Sequence, residues 1–345
     1  MIDDLKYIHE KDKSDALGLA AKEWQQLLAE YKIEPALKPD HVYNVVFAGM
    51  GGSALAALLS KTWPTVKEPF EVVRGYDIPS YVDGDTLFIA SSYSGNTEEE
   101  LSCLGQAAER GATIVVISSG GQLADIAREK GYSLVLIPTH MQPRYATLYS
   151  FSALIRILEA VGLVDEGSAD KELSKAAKFL EESVKSWLPE VHTKDNPAKE
   201  LAKDLVGTSI VVYSGPLLAP AAYKWKISLN ENAKNLAWWG TYPEFNHNEF
   251  IGWTGQPHDK PYSVIELRSS FEHPQVLKRF EVSARLLSGR RPAPQVVEAK
   301  GETLLEQLLW TVIFGDFVSI YLALLNGIDP TPVDLIEKFK SEISK

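Results

Sequence analysis

The sequence predicts an α/β protein of two halves, each a three-layer α/β/α sandwich subdomain around a parallel sheet. Three observations predict it. Short apolar runs alternate with segments of helical period, a strand, glycine turn and helix recur in the second half, and a polar stretch with proline breaks separates the two.

A charged helix is expected around residues 13 to 32. "YNVVFAG" (Tyr43 to Gly49) then reads as a strand, "SALAALLSK" as a helix and "PFEVVRG" as a second strand. "DTLFIAS", "GATIVVISS" and "YSLVLIP" follow as strands, because each is a short, near-continuous apolar run of the kind that parallel strands covered on both faces require. Helices are expected from Thr97 to Arg110, Gln122 to Lys130 and Ala146 to Val161. Strands alternating with helices build a parallel sheet. From Glu166 to Leu205 the chain is polar and helix-rich, and its "WLPE" and "DNP" breaks mark the passage between a domain at 1–165 and another at 166–345.

The rhythm then restarts. "VVFAGMGGSALAALLSK" (Val45 to Lys61) lies against "VVYSGPLLAPAAYKWK", with Gly49 matching Gly215, and "FIASSYSG" has a counterpart in "IELRSSFEH". Two halves from one ancestral unit follow. The second copy carries Phe271, Glu272 and His273 where the first has Tyr93, Ser94 and Gly95, so only the first half is expected to hold an anion.

A net charge of −11 excludes nucleic acid and anionic membranes as partners, because nothing neutralises a phosphate backbone. The single cysteine, Cys103, excludes a disulfide framework and multi-cysteine metal sites and fits a reducing cytoplasm. The start lacks the apolar core of a signal peptide, and no apolar run is read as long enough to span a bilayer, so a soluble, cytoplasmic chain is expected.

"SSYSGNTEEEL" (91–101) crowds hydroxyls between an apolar strand and an acidic helix start. One reading is local: Thr97 with Glu100 forms a capping box, and Gly95 suits a tight turn. That leaves Ser92 and Ser94 unexplained. The other reading is a phosphate site, since the C-terminal end of a parallel strand facing a helix N-terminus is where open α/β sheets bind phosphate. "GMGGSA" (Gly49 to Ala54) also meets the G-x-G-x-x-A spacing of a dinucleotide fold, with Arg74 in place of the usual acidic residue, which leaves an NADP-dependent reductase as a second reading.

"GMGGSA" followed by "SSYSGNTEE" resembles the sugar isomerase (SIS) domain. "LNENAKNLAWWGTYPEFNHNEFIGW" (Leu229 to Trp253), "QPR" and "GIDPTPVDLIEK" resemble the bifunctional phosphoglucose/phosphomannose isomerase family, in that family's order from about Tyr43 to Lys338. The resemblance implies reversible conversion of glucose 6-phosphate or mannose 6-phosphate to fructose 6-phosphate, with no metal and no cofactor. It implies that Gly51, Gly52, Ser53, Ser92, Ser94 and Thr97 bind the phosphate, that Thr331 faces the sugar, and that Glu231, His247, Lys338 and Arg144 are catalytic.

The chemistry moves a proton between C1 and C2, which needs a base, a ring-opening group and positive charge beside the enediolate. Glu231 is the expected base, on an amide-rich, apolar helix where burial could raise its pKa; the plain alternative is a solvated glutamate paired with Lys234. Asn230 and Asn232 are expected to support the turn. His247 lies in a polar loop with aromatic anchors, and the resemblance implies ring opening from across a homodimer interface. Glu244 and Glu249 are candidates to orient it, while His9, His41, His192 and His258 read as surface residues. Arg144 follows a strand edge and supplies fixed charge; a structural ion pair is its alternative. Thr331 reads as an N-cap with Pro332 as first helical residue and Asp334 in the first turn, which places Lys338, seven residues on, on the same helix face. The region Glu166 to Asn196 and the pair Trp238 and Trp239 match no part of the family pattern. A non-catalytic sugar-phosphate sensor remains the alternative of another class.

Overall fold

The computed structural model describes residues 1–37, 41–255 and 261–343, so the expectation for His258 lies outside the described residues. Two compact units form: Lys22–Phe179, and Met1–Ala21 together with Leu180–Lys345.

In the first unit β1 (Asn44–Ala48), β2 (Phe70–Val73), β3 (Thr86–Ser92), β4 (Thr113–Ser118) and β5 (Ser133–Leu136) form one sheet in the order β2-β1-β3-β4-β5, all parallel. Every residue of β3 is buried, as a central strand covered on both faces must be. The helices Glu98–Glu109 and Gly121–Lys130 bury Cys103, Leu104, Ala107, Leu123, Ala124 and Ala127 against Val46, Phe88, Ala90, Ile114 and Val116. Gly51–Ser60 packs against Thr147–Ala160 in the same unit. The expected strands and helices from Tyr43 to Val161 are all present. Val45 pairs with both Phe70 and Leu87, so the direction of strand addition reverses between β1 and β3 and makes that pair the switch point of the sheet.

The expected helix at 13–32 is instead two short pieces, an α-helix at Ala16–Ala21 and a 3-10 helix at Glu23–Leu28. Asp12 explains the first start, since its carboxylate accepts from the Ala16 and Leu17 N–H groups at 2.8 and 2.9 Å. The break falls where the chain leaves one compact unit for the other.

The second unit contains β6 (Ser209–Ser214), β7 (Ala237–Thr241), β8 (Tyr262–Arg268) and β9 (Gln295–Glu298) in the order β7-β6-β8-β9, again all parallel. Ala219–Glu231, Pro197–Leu205 and Leu304–Leu325 pack together, and Val276 and Phe280 of Pro274–Leu286 meet Val211 and Val264 of the sheet. The N-terminal segment belongs here: the Tyr7 hydroxyl donates to the Leu324 carbonyl at 2.7 Å, and the buried Lys199 ammonium donates to Asp3 at 3.0 Å. Leu304–Leu325 corrects the reading that no run is long enough to cross a bilayer, because its 22 residues are long and apolar enough by length and composition. It is a core helix, with 94% of its most apolar window buried inside the fold. Its polar residues are partnered there: Asp316 by Lys224 and Ser228, Gln307 by Ser269 and Ser270.

Candidate active site

The turns after β1 and β3 converge at the C-terminal edge of the first sheet. Gly51 opens the helix Gly51–Ser60, and Ser53 in its first turn accepts the Tyr93 N–H at 3.2 Å, which joins the two turns. Ser92 is buried at the end of β3; its hydroxyl lies 2.7 Å from that of Thr97, 3.5 Å from that of Ser94, and accepts the Gly95 N–H at 3.1 Å. Ser94 is exposed and accepts the Asn96 N–H at 3.3 Å. Gly95 has φ +69°, and a Cβ there would collide with the Gly120 carbonyl, so the turn requires glycine. Asn96 accepts the Gln122 N–H at 3.1 Å, and the Leu123 N–H reaches the Gly95 carbonyl at 2.9 Å, which ties the turn to the next helix.

Thr97 corrects the capping-box reading. It occupies the N-cap position of Glu98–Glu109 with extended backbone, yet its side chain makes no capping hydrogen bond. The hydroxyl is turned to Ser92 instead. Glu100 does not close a box either: it is 1% exposed, and burial, set against its contacts with the Met50 N–H and the Thr97 hydroxyl, pushes its carboxyl up to about 7. The residue spacing held that signal, because Glu100 shares the helix face of Cys103, Leu104 and Ala107.

Arg144 joins the same site. It lies in the 3-10 turn Pro143–Tyr145, 1% exposed, with its guanidinium carbon 4.8 Å from the Tyr145 ring centroid. Gly52 approaches this turn so closely that a Cβ would sit 3.4 Å from the Arg144 nitrogen. The Tyr93 hydroxyl accepts the Met141 N–H at 3.1 Å, so the serine turn and the arginine loop are fixed to each other.

The second unit carries the other candidates. Glu231 is the last residue of Ala219–Glu231 and is half-buried. Asn230 accepts the Ala237 N–H at 2.9 Å and Asn232 donates to Ser319 at 2.9 Å, supporting the turn as expected. Lys234 donates to the carbonyls of Asp329 and Pro330, both at 3.0 Å, which brings the segment ahead of Thr331 to the turn after Glu231. Thr331 is not an N-cap. The last helix is Asp334–Ile343, and Thr331 precedes it, its N–H taken by the Asp329 carboxylate at 3.0 Å. The shared helix face with Lys338 therefore falls away; Lys338 is exposed on the helix and Thr331 sits outside it.

His247 ends the 3-10 turn Glu244–His247 and is exposed, with Phe245 buried beneath it as the aromatic anchor. Asn246 beside it is held by Ser283 at 2.9 Å and Arg279 at 3.1 Å. The expected orienting groups are otherwise engaged: Glu244 accepts from Asn248 at 2.6 Å, and Glu249 lies beside Gly240, its pKa raised by burial.

Residues 194–343 match the family described as the bacterial phospho-glucose isomerase C-terminal SIS domain. The chain is 33% identical over 313 residues to a bifunctional phosphoglucose/phosphomannose isomerase of Caldicellulosiruptor bescii, covering 90% of this chain and 92% of that protein. It is 34% identical over 305 residues to the Aquifex aeolicus protein of the same description, covering 88% and 91%. The chain belongs to the bifunctional phosphoglucose/phosphomannose isomerase family. Its fold is shared with a glucose-6-phosphate isomerase like protein from Thermus thermophilus, with a TM-score of 0.64 at 21% identity over 99% of this chain and 98% of that one.

Both SIS units of this family member keep the strand, turn and helix of the repeat, but the second turn is filled. A Cβ at Gly215 would collide with the Glu272 carboxylate, and that carboxylate accepts the Leu217 N–H at 2.9 Å. The Glu272 carboxyl thus fills the turn that corresponds to the serine turn of the first unit. Ser269 and Ser270 bond instead to Gln307, at 2.7 and 2.8 Å.

Proposed function

We propose that the chain interconverts glucose 6-phosphate and mannose 6-phosphate with fructose 6-phosphate, reversibly and without a metal or other cofactor. The observation that carries this reading is the convergence of Ser53, Ser92, Ser94 and Thr97 on the β1/β3 switch point of a chain that belongs to this isomerase family. Hydroxyls and N–H groups at a helix N-terminus saturate the oxygens of a dianionic phosphate.

In this reading the domain at 1–165 holds the phosphate through Gly51, Gly52, Ser53, Ser92, Ser94 and Thr97, and the domain at 166–345 supplies the proton chemistry. Glu231 takes the proton from C2 of the opened aldose. The C–H electron pair becomes the C1=C2 double bond of the enediolate while the C1 carbonyl pair moves onto O1; the proton then returns at C1, and the C2 hydroxyl proton passes to O1 as the ketone forms at C2. Arg144 places fixed positive charge beside the developing oxyanion. Lys338 and the partner subunit's His247 serve ring opening in a homodimer, and Thr331 faces the sugar near C2 and C3. Planar C2 is common to both epimers, so one site serves both. The enzyme works in the cytoplasm, at the step shared by glycolysis and gluconeogenesis.

A coupled assay for fructose 6-phosphate from each aldose, with and without chelator, tests the reading. Turnover of both that resists the chelator is expected. No turnover of any aldose 6-phosphate would leave a non-catalytic sensor of sugar phosphates.

A further inference from the structure

Glu100 has no part in the chemistry above, yet it lies under the phosphate turn. It is 1% exposed, its Oε2 is buried without a hydrogen-bond partner, and its carboxyl contacts its own backbone N–H, the Met50 N–H and the Thr97 hydroxyl. Met50 is the N-cap of Gly51–Ser60 and Thr97 the N-cap of Glu98–Glu109. One carboxyl therefore sits between the two helix N-termini that flank the serine turn. Among the described residues, the charged group that acts on it most is a second anion, Glu99 on the same helix, and Cys103, one turn on, is a thiol that burial raises to about 11. The loop after β2 brings Asp77, whose charge acts on that thiol, and Arg74, which is exposed.

We propose that Glu100 is a positioning residue that couples binding of the substrate's phosphate to uptake of one proton, an inference that rests on the serine turn being the phosphate site. In the free protein the ionised carboxylate is the anion served by the Met50 N–H and the Thr97 hydroxyl. A phosphate dianion in the turn competes for the same donors and repels the carboxylate at low dielectric. The dianion enters with one proton from solvent, and that proton ends on the Glu100 carboxyl. Thr97 and the Met50 turn are then released to the phosphate.

Burial raises the free carboxyl to about 7, so below that pH it is already protonated and binding is at its strongest. Above it each further pH unit weakens binding by about tenfold, until the carboxyl stays ionised in the complex as well. Glucose 6-phosphate itself is a dianion across this range, its second ionisation lying near 6.

The test is KM for glucose 6-phosphate from pH 7 to 9 in the wild type, Glu100→Gln and the exposed neighbour Glu98→Gln. A wild-type KM that rises with pH while kcat does not follow, a rise lost in Glu100→Gln and kept in Glu98→Gln, supports the coupling. A flat wild-type KM, or a rise that survives Glu100→Gln, overturns it. Should Glu100→Gln fail to fold, calorimetry of glucose 6-phosphate binding to the wild type at pH 8, in buffers of different ionisation enthalpy, decides: uptake near one proton supports the inference and zero overturns it. Absence of saturable glucose 6-phosphate binding at every pH would fail the phosphate-site reading itself, whereas binding indifferent to pH would fail only Glu100.

Discussion

The hydroxyls of Ser92 and Thr97 lie 2.7 Å apart, so Thr97 directs its side chain into the turn although it stands where a helix cap would. Replacing Ser94 by alanine should then raise KM with little change in melting temperature, and replacing Thr97 should raise KM and also lower the melting temperature, because its hydroxyl meets buried Ser92 and Glu100 as well. A hydrogen bond to a charged group is worth about 1.5 to 3 kcal/mol, so a KM increase of roughly tenfold or more is expected from either. Ser92→Ala should also lower the melting temperature, because Ser92 carries the Gly95 N–H. Steady-state kinetics beside thermal unfolding separates the two classes.

Glu231→Gln keeps the shape of the side chain and removes its basicity. A fall in kcat of about 10²-fold or more, with KM nearly constant, is the expected result. A normal kcat would place the base elsewhere.

Thr331→Gln should lower kcat/KM for mannose 6-phosphate more than for glucose 6-phosphate, by about tenfold, on the order of 1.4 kcal/mol. Reaching the C2 proton of either epimer requires rotation about C2–C3, and a longer amide would hold one rotamer. Because Thr331 caps no helix, its melting temperature should hold. Equal losses on both sugars would end the argument for Thr331 in epimer choice.

Glu231→Gln and His247→Ala should each be inactive alone and complement when mixed. In a homodimer with shared sites, half of the random mixed population is heterodimeric and each heterodimer rebuilds one intact site, so roughly a quarter of wild-type activity should return. No recovery after subunit exchange would place His247 in its own chain's site or outside the site altogether.

Stability should respond to pH through Glu100. Its folded pKa is raised from 4.5 to about 7, so the folded state holds a proton that the unfolded state releases, and stability falls as pH climbs through that window. The full swing is about 3 kcal/mol. Glu100→Gln should therefore match the wild type near pH 5 and exceed it at pH 8 in chemical denaturation; the reverse order would mean the carboxyl is not protonated when buried.

The strands were legible because parallel strands covered on both faces leave a plain record, as "DTLFIAS" does for β3. The glycine and serine turns were legible because few residues fit them. At Thr331 the sequence misleads because T-P-V-D imitates a helix start, and only the fold shows the Asp329 carboxylate holding the Thr331 N–H. Leu304–Leu325 does not read as a span because Gln307 and Asp316 interrupt its apolar run, and their partners Ser269, Ser270, Lys224 and Ser228 are distant in sequence. Glu100 fell between two patterns, a capping glutamate by spacing and a core position by helix face, and the core position prevailed.

Glu272 gives the duplication an asymmetry in what each copy demands of its surroundings. The second turn is filled by a carboxyl that holds the Leu217 N–H, whereas in the proposed reading the first keeps its serine hydroxyls for a ligand, with Glu100 beneath them giving up its donors when one binds. Added glucose 6-phosphate should accordingly slow amide exchange in the segments 49–54 and 91–98 and leave 214–218 and 269–273 as they were, so that a molecule of near-repeated architecture answers its ligand with one copy alone.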